Sequence, residues 1–179
     1  MASAEDGAEM LDPVRTPARA WLHAHDASVW FAQRHNDAAF ASCDGTAGVS
    51  AGTWQGGWYA MVWKRQKKLD YKWVLADAAP LASLPPASDF ITGKLADCPP
   101  RPAPEDTPRP AGPPALRALP GAVPPPAAGA ESRDGRSDDG SLVWRSSVAP
   151  DGTRSLRVWL WQDGAMHAVI DRVTPRAGG

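Results

Sequence analysis

Three stretches follow one another with short breaks: Ala47-Gly48-Val49-Ser50-Ala51-Gly52-Thr53-Trp54-Gln55, Gly57-Trp58-Tyr59-Ala60-Met61-Val62-Trp63-Lys64-Arg65-Gln66 and Tyr71-Lys72-Trp73-Val74-Leu75-Ala76-Asp77. In the first, Val49, Ala51 and Thr53 alternate with Ser50 and Trp54, the period of two of a pleated strand. The second is apolar on both faces, with Trp58, Ala60 and Val62 against Tyr59, Met61 and Trp63. A strand of that kind must be covered on both sides, by helices, a ligand or a partner. The third places Tyr71, Trp73 and Leu75 on one face. Lys67-Lys68-Leu69-Asp70 reads as the hairpin turn before it, so the basic run Lys64–Lys68 is a solvated hairpin end rather than a binding patch.

Outward toward the N-terminus, Asp12-Pro13 and Thr16-Pro17 are pairs of the N-cap and first-helical-residue type. They predict helical entry, with Thr16 capping a short helix through about His23. Ser28–Arg34 then reads as a strand, with Val29 and Phe31 opposite Trp30. Ile91–Cys98 is a further short strand or helical turn.

Outward in the other direction the character changes. The 42 residues from Pro99 to Gly140 contain no Trp, Tyr or Phe but hold 12 of the 19 prolines. Such a stretch buries too little apolar surface to offset the entropy of ordering it. Residues 99–140 are therefore expected to be a disordered Pro/Ala-rich linker. Its first part, to Pro126, would be semi-rigid, and Ala127–Gly140 flexible. PxxP matches such as Pro110 to Pro113 arise by chance in a segment of this composition. Beyond it, Leu142–Val148, Leu156–Gln162 and Ala165–Val173 are separated by Pro150-Asp151-Gly152 and Asp163-Gly164, both turn signals. Residues 141–175 thus predict a three-stranded β-meander, marginal alone and expected to dock elsewhere. The domain division is 1–98, 99–140 and 141–175.

Whole-chain numbers narrow the function classes. With 179 residues the chain holds one domain and something extra. A formal net charge of −1, with no strongly charged segment, argues against a nucleic-acid partner. No apolar run is long enough for a membrane-spanning helix. There is no P-loop, G-x-G-x-x-G, Gly-x-Ser-x-Gly elbow, CxxC or HExxH, so neither cofactor nor metal is implied. His23-Ala24-His25 has ligand-like spacing, but zinc needs three or four converging ligands. Met1–Leu11 lacks the basic start and apolar core of a signal peptide.

The stretch Ala41–Trp54, with Gly57–Gln66 and Tyr71–Leu75 after it, resembles bacterial proteins of the SnoaL-like, nuclear-transport-factor-2-like superfamily. The resemblance covers roughly residues 3–98 and is best over 41–77. It implies an α+β fold: short N-terminal helices on a curved, cone-like antiparallel sheet enclosing a pocket. It also implies one or two amphipathic helices ahead of the region matching Ala4–Pro13. On that reading the domain is N-terminally truncated; were the chain complete instead, the two-faced strand would be left uncovered, favouring a homodimer or aggregation. The superfamily includes isomerases, dehydratases, polyketide cyclases and members without known reaction. Its pattern puts an acidic residue directly after Leu75. Here that place is Ala76, with Asp77 one residue late and on the other face. Relatives with this motif look exported, which leaves the periplasm and the cytoplasm both open.

The candidate site residues follow. Trp54, Trp58, Tyr59, Trp63, Tyr71 and Trp73 would line an apolar small-molecule pocket, or form ordinary core. Asp77, His23 and His25 are the candidates for acid–base catalysis. Cys43 and Cys98 either close a 55-residue loop as a disulfide or are two separate thiols. The expected function is non-catalytic binding of an apolar small molecule or a partner. The alternatives are an isomerase-, dehydratase- or hydrolase-type enzyme in the same pocket, and an interaction module built from linker and meander.

Overall fold

A computed structural model of the protein describes residues 4–25, 34–54, 56–67, 70–83, 89–98 and 123–176. Residues 28–33 of the strand expected at Ser28–Arg34, and the linker from residue 99 to 122, lie outside the described residues; Arg34 itself is not in a strand. The chain order is β1 (Ala4–Leu11), β2 (Arg15–Pro17), α1 (Ala18–Ala24), β3 (His35–Ala41), β4 (Ala47–Trp54), β5 (Gly57–Arg65), β6 (Tyr71–Pro80), β7 (Thr92–Leu95), β8 (Glu131–Arg136), β9 (Leu142–Val148), β10 (Arg154–Gln162) and β11 (Ala165–Thr174).

These strands form two sheets, β2-β1-β6-β5-β4-β3-β7 and β11-β10-β9-β8. The first is mixed, because β1 runs parallel to β6 and β7 parallel to β3. Its central hairpins are antiparallel, with Val49 opposite Val62 and Val62 opposite Leu75. One core joins the sheets: Phe40, Val49, Trp58, Ala60, Val62 and Leu75 pack with Leu142, Trp144, Leu156, Val158, Leu160 and Ile170. The molecule is thus a β-sandwich, the arrangement that buries one apolar face of each of two sheets.

This overturns the expected α+β cone. The structure is mostly β, with a single seven-residue helix among the described residues. The Asp12-Pro13 pair starts no helix; its cis peptide lies in the turn between β1 and β2. Pro17, not Thr16, is the N-cap of α1, and the Thr16 hydroxyl donates to the Val14 carbonyl instead. The reading of β5 as covered on both faces explains where the second layer comes from. Trp58, Ala60 and Val62 face the four-stranded sheet. Tyr59 and Met61, both fully buried, pack with Met10 of β1, Trp21 of α1 and Trp73 of β6. The C-terminal strands therefore do the covering that the resemblance assigned to helices. The uncovered face invoked for a homodimer is absent from β5.

The meander has four strands, not three. β8 pairs along its whole length with β9, from Glu131 opposite Val148 to Arg136 opposite Val143. Ala127–Gly140, expected as flexible linker, therefore contains a strand and the turn that follows it.

The four-stranded sheet repeats the geometry of β3–β6. Ser42-Cys43-Asp44-Gly45-Thr46 joins β3 to β4, and Ser137-Asp138-Asp139-Gly140-Ser141 joins β8 to β9. In each turn the Asp Oδ1 accepts from the preceding Ser hydroxyl (Ser42 2.7 Å, Ser137 2.6 Å) and from the N–H two residues on, Thr46 or Ser141, at 2.9 Å. In each a Gly sits in the left-handed region, Gly45 at φ 66° and Gly140 at φ 70°, where a side chain would be strained. The likeness continues along the strands. The β5–β6 ladder has a bulge between Val62 and Trp63, and the β10–β11 ladder has one between Val158 and Trp159. A bulge re-aims the residues beyond it, so its recurrence at the same place gives both meanders the same curvature.

The turns meet at a local twofold axis. Asp44 N–H donates to Asp139 Oδ2 and Asp139 N–H to Asp44 Oδ2, each at 2.9 Å. Cys43 N–H donates to the Ser141 hydroxyl at 2.9 Å, and Asp138 N–H to the Thr46 hydroxyl at 2.8 Å. The two meanders are therefore equivalent halves of the sandwich, and β1, β2, α1 and β7 are additions to the first half.

Candidate functional site

The twofold arrangement gives the sandwich two equivalent ends. Counting from the bulges, Arg154 in β10 takes the place of Trp58 in β5. Trp58 lies between Thr53 and Ala79; Arg154 lies between Val148 and Thr174. Arg172 in β11 likewise takes the place of Asp77 in β6, being opposite Leu156 as Asp77 is opposite Ala60. Each end thus pairs a β5-type residue with a residue of the facing sheet.

At the closed end the pair is ionic. Arg154 Nε donates to Asp77 Oδ1 at 3.1 Å, with the Asp77 side chain fully buried. Arg154 also donates to the Pro13 carbonyl at 2.7 Å and to the Ala78 carbonyl. The Asp12 carboxylate lies 3.7 Å from the same guanidinium. Burial pushes the Asp77 carboxyl up to about 7, against the opposing pull of Arg154. Burial likewise raises Asp12, opposed by Arg154 and His25. The turn at Pro13–Val14 covers this end and leaves a hollow of about 270 Å³, walled also by Val148 and Arg176.

At the open end no chain segment among the described residues plays the part of the Pro13–Val14 turn. A cleft of about 350 Å³ lies between the sheets there. β3–β5 contribute Ala38, Phe40, Ala51, Thr53, Trp58 and Ala60, and β11 contributes Val169, Ile170, Asp171 and Arg172. Leu81, just after β6, closes one side. The Arg172 guanidinium lies over the Trp58 ring, 5.5 Å from its centroid, a cation–π contact in place of the salt bridge. Two carboxylates reach this cleft, and each is engaged: Asp37 with His35 Nδ1 at 2.8 Å, Asp171 with Arg157 Nε at 2.9 Å.

The six aromatic residues singled out in the sequence do not form one wall. Trp58 borders the cleft; Tyr59, though on the same stretch of its lining, is fully buried with its side chain in the core on the other face. Trp73 is fully buried in the core on the other face of the large sheet, where Trp54 and Trp63 are partly buried. Trp54 Nε1 donates to the Trp58 carbonyl at 3.2 Å and Trp63 Nε1 to the Ser50 hydroxyl at 2.9 Å. Tyr71 is half exposed, and its hydroxyl donates to the Gly45 carbonyl at 2.6 Å. Strand alternation separates them, because odd and even residues of β5 enter different cores.

The acid–base candidates are also dispersed. Asp77 borders none of the cavities described above and is engaged by Arg154. His23 is exposed at the end of α1. His25 stacks on Trp21, ring centroids 4.4 Å apart, with its Nδ1 2.9 Å from the Trp21 carbonyl. No group of three metal-ligating side chains occurs among the described residues. No helix among them is long and apolar enough to cross a membrane.

Cys43 and Cys98 are joined in a disulfide with Cα atoms 5.2 Å apart. It ties the segment after β7 to the turn at the twofold axis. Ala96 N–H donates to the Ala41 carbonyl and Asp97 N–H to the Trp161 carbonyl, both at 2.9 Å, so this segment also bridges the two sheets.

Sequence reasoning missed Arg154 and Arg172. One signal was available. Two Ser-x-Asp-Gly-(Thr/Ser) runs whose aspartates lie 95 residues apart mark the two halves. Once the halves are aligned, Arg154 and Arg172 fall opposite Trp58 and Asp77.

No protein-family model matches the chain, and neither the curated proteins nor the solved structures include a similar one.

Proposed function

We propose that the protein binds an apolar small molecule in the cleft between its sheets at the Trp58–Arg172 end, without transforming it. The observation that carries this reading is the asymmetry of two equivalent ends. One is covered by the turn at Pro13–Val14 and locked by Arg154 and Asp77. The other is a cleft of about 350 Å³, a volume in the range of small-molecule sites, with Trp58 at its base. Its walls are mainly aliphatic and aromatic, so desolvation supplies affinity at about 25 cal/mol per Å² of apolar area buried.

No observation favours the enzyme reading. Asp77 is walled off, and the carboxylates that reach the cleft are committed to His35 and Arg157. The interaction-module reading needs a meander separable from the first domain, whereas here it forms half of the shared core.

Titration of the full chain with a neutral apolar probe, 1-decanol, followed by isothermal calorimetry, tests the proposal. Ala51→Leu places an isobutyl group in a half-buried wall position of the cleft. Saturable binding that Ala51→Leu weakens at least tenfold supports the reading. Absence of binding, or equal binding by the variant with its melting temperature retained, overturns it.

A further inference from the structure

We infer that the cleft selects amphipathic ligands carrying a carboxylate, with Arg172 as the group that recognises it. This rests on the reading of the cleft as an apolar-ligand site and names the class of ligand.

The argument comes from the two equivalent ends. At the closed end a guanidinium and a carboxylate meet across the sheets, Arg154 on Asp77. At the open end the guanidinium is present, and no carboxylate among the described residues pairs with it across the sheets. Arg172 stands where Asp77 would stand, and the residue facing it is Trp58, which is uncharged. Among the described residues Arg172 makes no ion pair, while its neighbours Arg157 and Asp171 are committed to each other at 2.9 Å. Asp37 at the same cleft is engaged by His35. Arg172 is thus the one side-chain cation lining the cleft that no carboxylate among the described residues pairs.

Geometry agrees with that charge. Arg172 is exposed, and its guanidinium carbon lies 5.5 Å from the Trp58 ring centroid, a cation–π contact that holds the group at the mouth of the cleft. A guanidinium held this way accepts a carboxylate through two parallel hydrogen bonds. An aliphatic or aromatic tail attached to that carboxylate would run inward along Ala38, Phe40 and Ile170, away from water. A neutral ligand gains the tail contacts alone.

The test compares decanoate with 1-decanol on the full chain at pH 7.5 by isothermal calorimetry, using the natural chain, Arg172→Gln and Arg172→Lys. The natural chain is expected to bind decanoate about tenfold more tightly than decanol. In Arg172→Gln that preference falls below twofold. Arg172→Lys keeps part of the preference, since it keeps the charge but not the fork. Equal binding of the two ligands by the natural chain overturns the carboxylate proposal and leaves the apolar-ligand reading standing. A preference that persists in Arg172→Gln also overturns it, by placing recognition elsewhere. If neither ligand binds, both readings fail.

Discussion

Asp44 and Asp139 each accept the other's backbone N–H at 2.9 Å, so two turns 95 residues apart are held as twofold-related partners at the centre of the sandwich. Both oxygens of Asp44 are used: Oδ1 by Ser42 and Thr46, Oδ2 by Asp139 N–H and the Thr46 hydroxyl. An amide cannot reproduce this set, because its NH₂ would face an N–H. Asp44→Asn is expected to cost about 1–3 kcal/mol in urea unfolding. The double variant with Asp139→Asn should cost clearly less than the sum of the two, because the residues form one network. Strict additivity would mean that the turns do not support one another.

The Asp77–Arg154 pair makes a pH prediction. Burial raises Asp77 to about 7 in the folded protein, against about 3.9 unfolded. Between these values the folded state holds the proton that the unfolded state has released. Stability contributed by this group therefore falls as pH rises from about 4 to about 7, by up to about 1.4 kcal/mol per unit, and is flat above. Asp44 and Asp134 act in the opposite sense. Burial raises Asp44, but its hydrogen bonds outweigh that and lower it; the Arg145 hydrogen bond lowers Asp134. Their stabilisation is lost below about pH 4, outside the Asp77 window. Thermal melts from pH 4 to 8 should show the decline in the natural chain and a flatter profile in Asp77→Asn. An unchanged slope in the variant would assign the decline elsewhere.

Reduction of Cys43–Cys98 reopens a loop with a sequence separation of 55 residues. In the chain-entropy account that costs about 4 kcal/mol. The loop contains β4, β5 and β6, the centre of the large sheet. A reducing agent is expected to lower the melting temperature markedly and expose two thiols per denatured chain, against none before reduction. Two thiols counted without reduction would contradict the bond.

How much of this was legible in the sequence depends on where each strand finds its order. β4 and the core of β6 carry period-two apolar patterns, β5 is apolar on both faces, and β9 begins with an apolar run, so their positions follow from the residues. β1 reads Ala-Glu-Asp-Gly-Ala-Glu-Met-Leu, rich in helix formers, and becomes a strand through parallel pairing with β6, a partner more than sixty residues away. β8 reads Glu-Ser-Arg-Asp-Gly-Arg and has almost nothing to bury. Its order comes from β9 and from the Ser137–Ser141 turn, which composition alone assigned to a linker. The aromatic residues of β5 and β6 were visible as a group, but which of them reach the cleft depends on the four-stranded sheet facing Trp58. The residues place Asp77 on the wrong face for the superfamily pattern. Its actual partner, Arg154, comes from the half of the chain read as a separate meander.

The most direct test of the binding account is two-dimensional amide NMR of the full chain during titration with decanoate. The account predicts saturable shifts concentrated on residues 37–40, 51–53, 58–60 and 169–172, the walls of the cleft. Shifts centred instead on Trp54, Trp63 and α1, the other face of the large sheet, or no saturable shifts at all, would contradict it.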